Sequence, residues 1–150
     1  DLDPDTGSLT ASVAVTLTNT VEPEGLPSYV TGLPSRELEP GWNKMQLSVT
    51  TPHRLRGITV DGEPAPAELQ QEFGYERYLT EVVVPPGGAV TVEFALDGQV
   101  TLEGGHYRLS ILTQALVHPD DVRIRVNLPT ASVTDEVTLA EDYQLSLSLG

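Results

Sequence analysis

The sequence contains no cysteine, so a thiolate nucleophile, a thiolate zinc site and a disulfide framework are all excluded. Basic residues are scarce: 8 Lys and Arg stand against 22 Asp and Glu in 150 residues, a formal net charge of −14. Nucleic acid and an anionic membrane surface both need a basic face, so neither is expected as a partner. No apolar run approaches the ~20 residues of a membrane span, and no signal peptide opens the chain. Catalytic signatures are missing too: there is no G-x-S-x-G elbow, no Walker loop and no G-x-G-x-x-G. Carboxylate pairs follow from the acidic composition and are no evidence for glycosidase-type chemistry. The expectation is therefore a protein that is not an enzyme.

Hydrophobic residues make up 39% of the chain and charged residues 20%, which sets it apart from disordered sequences. The dominant hydrophobic period is two. In SLTASVAVTLTN, Leu9, Ala11, Val13, Val15 and Leu17 alternate with Ser and Thr, the mark of a half-buried strand. The same alternation places Val90, Val92, Phe94 and Leu96 on one face, then Val122, Ile124, Val126 and Leu128, then Tyr143, Leu145, Leu147 and Leu149. Further strands are expected at Met45–Thr51, Leu55–Val60, Tyr78–Val84 and Tyr107–Leu112. VDGEP, PPGG, LDGQ, EGGH and HPDD supply the Gly and Pro that tight connections require. Short strands separated by such turns predict an all-β fold, an antiparallel immunoglobulin-like β-sandwich.

Two segments depart from this pattern. PAPAELQQEFGYERY spaces Glu68, Glu72 and Glu76 four apart, so either a short helix near 67–73, ended by Gly74, or a loop or irregular edge strand fits. The proline-rich stretch from Val21 to Gly41 cannot be a central strand throughout, because each proline removes a ladder donor. It is expected to cross between sheets, with SYVTG as a short strand within it.

Candidate site residues are few. DLDPDTG places Asp1, Asp3 and Asp5 at alternate positions, as calcium loops do, but the glycine comes one position late and the twelfth residue is Ser12 instead of Glu. A calcium site would need further ligands from elsewhere; the simpler reading is an acidic lead-in over residues 1–7, followed by one sandwich domain over residues 8–150, with no cofactor. His53, His106 and His118 lie beside turn signals and lack metal-ligand spacing. Arg123 and Arg125 are expected to project from the same face of one strand, and Arg54 and Arg56 to do so near another. They could receive an acidic glycan or a carboxylate-bearing partner. Cross-strand pairing with the surplus carboxylates is the alternative. Trp42 is the only tryptophan, read as a core anchor at a strand start or else a surface platform for a sugar or a partner.

Two stretches carry a family resemblance. VTLTNTVEPEGLPSYVTG has a strand ending in Asn19-Thr20, followed by Leu26-Pro27 ahead of Tyr29, Val30 and Gly32. YRLSILTQALVHPDDVRIRVNLP has Gln114 and His118-Pro119-Asp120 ahead of a strand that ends at Pro129. Over most of residues 8–130 the chain resembles the C-terminal region of a bacterial envelope protein family of unknown function, the DUF family numbered four thousand and twelve. The resemblance implies a β-rich module in the extracytoplasmic part of a single-pass membrane protein, at the cell surface or envelope, and it transfers no catalytic residue. The chain also opens on a polar segment without an initiator Met, which reads as a piece of a longer protein with its membrane anchor elsewhere. The expected function is a non-enzymatic binding or spacer module contacting another envelope protein or a cell-wall polymer through Arg54, Arg56, Arg123, Arg125, Trp42 and Tyr29. The alternatives are a carbohydrate-binding module for a wall or acidic glycan, and a hydrolase or hydrolase-accessory domain.

Overall fold

The computed structural model of the chain describes residues 1–32, 38–114 and 118–149. Among these residues, eleven strands and one short helix make it almost entirely β. The single domain expected from residue 8 onward corresponds to two compact units, Ala11–Asp97 on the one hand and Asp1–Thr10 with Gly98–Gly150 on the other. Two strands, β1 (Ser8–Thr18) and β7 (Ala89–Gln99), contribute residues to both.

The Ala11–Asp97 unit is an antiparallel sandwich. One sheet has the order β1-β7-β3-β4, with β3 at Arg54–Val60 and β4 at Glu63–Ala65. The other has the order β2-β6-β5, with β2 at Asn43–Thr51, β5 at Glu68–Glu72 and β6 at Tyr75–Val84. The period-two pattern places Val90, Val92, Phe94 and Leu96 of β7 in one buried cluster with Ile58 of β3 and Tyr78, Val82 and Val84 of β6. Phe94, Val82, Val84 and Val92 are the largest side chains withdrawn completely from water. Each stabilises the unit by about 1.5–3 kcal/mol relative to an exposed position. The strand order differs from the constant-type immunoglobulin arrangement, in which the first strand borders the second. Here β1 borders β7.

LDGQ at 96–99, expected to turn, continues β7 instead, because Asp97 is held in the ladder opposite Arg54. The segment from Val21 does lead from the β1 sheet to the β2 sheet, but SYVTG is not a strand. Pro27 sets an extended N-cap, the Val30 and Thr31 amides donate to the Pro27 carbonyl, and Ser28–Thr31 form one helical turn, α1.

Of the two readings left open near 67–73, the structure takes the edge strand and not the helix. Residues Glu68–Glu72 pair with β6 as the edge strand β5, with Glu72 opposite Tyr75. Seven residues with one polar face cannot offset a costly helix nucleus, whereas a neighbouring strand supplies backbone partners at once. The connection is the two-residue turn Phe73-Gly74, both at positive φ (51° and 84°). The same turn occurs between β3 and β4, where Asp61-Gly62 stand at 49° and 85°. Both angles suit a type I′ hairpin, which favours Asp-Gly or Asn-Gly. There Asp61 also accepts the Thr91 amide at 2.8 Å, so its presence is chemically explained. A phenylalanine in that conformation is strained.

In the other unit, β8 (His106–Ile111) pairs with β11 (Tyr143–Ser148), and β9 (Asp120–Asn127) pairs with β10 (Ser132–Leu139). Leu2, Leu9, Tyr107, Ile124, Val126 and Leu145 are buried there. Asp135 shares a face of its hairpin with Ile124 and receives the Tyr143 hydroxyl, which links the two strand pairs through a hydrogen bond.

Replacing the strained phenylalanine, Phe73→Asn, is expected to stabilise the protein by about 1 kcal/mol, since Asn tolerates the left-handed region. The thermal midpoint should then rise by roughly 2–8 °C. Circular dichroism melting checks this, and a fall in midpoint would show that Phe73 packs where it appears exposed.

Candidate functional site

Of aspartates 1, 3 and 5, Asp3 serves the local backbone. The Asp3 carboxylate accepts the Asp5 amide at 2.9 Å, the Thr6 amide at 3.4 Å and the Thr6 hydroxyl at 2.8 Å. These bonds, the Thr6 hydroxyl foremost, hold its pKa below the ordinary 3.8. Asp1 accepts from the Asn127 side chain at 3.0 Å, and Gly7 closes the turn onto the Asp3 carbonyl. Gly7 has φ +71°, and a Cβ there would strike the Val100 carbonyl oxygen. Leu2, between the first two aspartates, is buried at 2% exposure. Among the described residues no three His, Asp or Glu side chains converge in a metal-ligand cluster. Of the histidines, His53 is half-buried in the turn from β2 to β3, and burial lowers its pKa.

The arginines lie in separate units. Arg54 makes a bidentate pair with Asp97, Nε to Oδ1 at 2.9 Å and Nη2 to Oδ2 at 2.7 Å. Arg123 donates through Nε to Glu136 at 2.7 Å, directly across the β9–β10 ladder. Both are therefore cross-strand pairs of the kind an acidic chain readily forms. Arg56 lies at the irregularity where the β3–β7 register shifts, and its charge helps to lower the Asp97 pKa. Arg125 stands opposite Thr134 on the exposed face of β9, without a carboxylate partner among the described residues.

Two predicted site residues do share one end of the Ala11–Asp97 unit. Tyr29, on α1, is 88% exposed, and Trp42 is 40% exposed. The tryptophan is therefore a surface residue, not a core anchor: it precedes β2 in a turn closed by its own amide donating to the Glu39 carbonyl at 3.2 Å. The Gly41 amide donates to the Thr31 carbonyl at 2.7 Å, which ties the end of α1 to the residue before Trp42. Leu26 and Val30 extend the same apolar surface at 43% and 53% exposure.

Asn19 holds this end together, a role that sequence reading gave to no residue. Its side-chain amide donates to the Gly41 carbonyl at 2.8 Å and to the Val84 carbonyl at 3.1 Å, and its carbonyl oxygen accepts the Val21 amide at 3.2 Å. Its own backbone amide donates to Gly88 at 2.9 Å. One side chain thus ties the end of β1, the end of β6 and the turn that carries Trp42. Gly41, at φ +86°, sits between Pro23 and Pro86, so a Cβ would lie 3.0 Å from each ring. The only sequence signal was an asparagine at a strand end ahead of a proline-rich segment.

These features define a class: an all-β sandwich module with aromatic side chains displayed at one end on a rigid base. Comparison of the chain with family models, with curated proteins and with solved structures returns no match.

Asn19→Asp keeps the shape but sets a carboxylate against two carbonyl oxygens. A loss of about 1–3 kcal/mol is expected, together with increased acrylamide quenching of Trp42 fluorescence; unchanged quenching would separate Asn19 from the aromatic end. The Arg54–Asp97 pair carries a pH consequence. The Arg54 hydrogen bond, then burial's opposing effect and the Arg54 charge, leave the Asp97 pKa below 3.8. A depressed carboxyl pKa contributes stability above its unfolded value that is lost as pH falls through the folded one. Carboxyl NMR should therefore show Asp97 titrating below pH 3.8 and moving up towards that value in Arg54→Ala.

Proposed function

We propose that this chain is a non-enzymatic binding module from the extracytoplasmic part of a membrane-anchored bacterial envelope protein. The exposed pair Tyr29 and Trp42, on the base built by Asn19, is the observation that carries this reading. Exposed aromatics on a rigid base lose little freedom when a partner covers them, so the apolar area they bury goes largely into affinity. The arginines are weaker candidates for the contact, because two of the four are already engaged with carboxylates. The envelope location rests on the family resemblance over residues 8–130, and the partner it suggests is an envelope protein or a cell-wall polymer.

A second reading, carbohydrate binding, is favoured by the same two rings, since the apolar faces of sugar rings stack on exposed tryptophan and tyrosine. The acidic chain then fits a neutral stretch of glycan better than an acidic one.

Trp42 is the only tryptophan, so its emission reports directly on the site. Titration with soluble cell-wall glycan fragments should shift that emission to the blue and saturate, and Tyr29→Ala should weaken the interaction at least tenfold without lowering the thermal midpoint. A response to purified envelope proteins but not to glycans selects the protein partner. No response in either titration overturns the assignment of this end as a binding surface.

A further inference from the structure

At the opposite end of the β2-β6-β5 sheet the β5–β6 hairpin projects Phe73, 93% exposed, at its apex. Its conformation is one the chain satisfies elsewhere with aspartate, at Asp61. An aromatic ring that is both exposed and held at positive φ costs stability and gains no packing, and such strain concentrates where a contact is made. Two further apolar side chains stand behind it, Leu69 at 59% and Tyr75 at 51% exposure. Leu69 pairs with Tyr78 and Tyr75 with Glu72, and the two pairs fall on opposite faces of the ribbon because strand faces alternate. The hairpin is thus apolar at its apex and on both sides. A flat docking surface would be apolar on one side only; a wedge entering a cavity needs both.

Charge decides what kind of cavity. From Glu68 to Arg77 the hairpin carries Glu68, Glu72, Glu76 and Arg77, three negative charges against one positive, a net of −2. A second copy fits poorly: antiparallel pairing of two β5 edges about Gln70 would set Glu68 directly against Glu72 in both halves, which like charges disfavour. An anionic lipid surface is repelled for the same reason. We infer that the β5–β6 hairpin inserts Phe73 into an apolar cavity of a partner protein whose rim carries Lys and Arg. The ring is the anchor, the flanking Leu69 and Tyr75 contact the cavity walls, and the glutamates meet the basic rim. Buried aromatic anchors of this type dominate binding energy where water is excluded around them. This contact is independent of the Tyr29 and Trp42 end and survives or fails separately from it.

The test places the photo-crosslinking amino acid benzoylphenylalanine at position 73 of the full chain in its native cells. Leu112, 74% exposed, serves as the control position. The expected result is an adduct with one protein, at least tenfold above the control, with the linked residue mapping inside an apolar cavity bordered by Lys or Arg. The Glu68→Lys/Glu72→Lys double variant should lower that yield about tenfold. Phe73→Asn, expected to fold more stably than the natural chain, should compete at least tenfold more weakly against the crosslink. Adducts to lipid, to a second copy of the chain or to a site without a basic rim overturn the inference, as does a yield no greater than that at position 112.

Discussion

The inward row of β7 is the constraint on which the Ala11–Asp97 unit depends. Val90, Val92, Phe94 and Leu96 occupy alternate positions, and a shift of one residue in pairing would turn all four to water. At about 1.5–3 kcal/mol for each buried side chain, that shift would cost roughly 6–12 kcal/mol, comparable to an ordinary domain's whole stability. The register with β3 is therefore fixed by β7, and the pairs that follow from it are consequences. Arg54 meets Asp97 because Leu55 meets Leu96. The ion pair stands at the surface, where such pairs contribute little; it decorates a register that hydrophobic burial has already chosen.

The same logic shows which parts of the structure were legible in the sequence. Strands whose alternation is uninterrupted, as in β1, β7, β9 and β11, could be read directly with their inward faces. The strand β10 escaped because Asp135 interrupts its inward row of Val133, Val137 and Leu139, and the Tyr143 hydroxyl and the Glu136 amide make a carboxylate acceptable there. Helical spacing of Glu68, Glu72 and Glu76 kept a helix open beside the edge strand for a related reason. Periodicity in charged residues describes an exposed surface, and an edge strand with few buried side chains has no strong pattern of its own to oppose it. At SYVTG the error ran the other way: β-favouring residues were overridden by a proline that positions its own carbonyl to start a helical turn.

The candidate site was legible as residues and not as an arrangement. Tyr29 and Trp42 could be singled out as aromatic, but their common location depends on hydrogen bonds from Asn19 to carbonyls 22 and 65 residues away. Backbone acceptors have no sequence identity, so no motif announces such bonds. For the arginines, what the sequence left open was their pairing. The abundance of carboxylates in the chain gave Arg54 and Arg123 cross-strand partners where the register placed them.

Display of aromatic residues at the two ends of one sheet constrains what the unit can do. The β6 strand separates them: ten residues from Tyr75 to Val84, at ~3.3 Å each, set the two ends roughly 30 Å apart. No small ligand reaches both. The rigidity of the intervening sandwich fixes that distance, because changing it would mean breaking the buried cluster of β6 and β7. A unit of this form that makes a contact at each end sets the separation of two partners as well as binding them. Under the proposed role, binding and spacing, which the sequence presents as alternatives, would be two aspects of the same packed core.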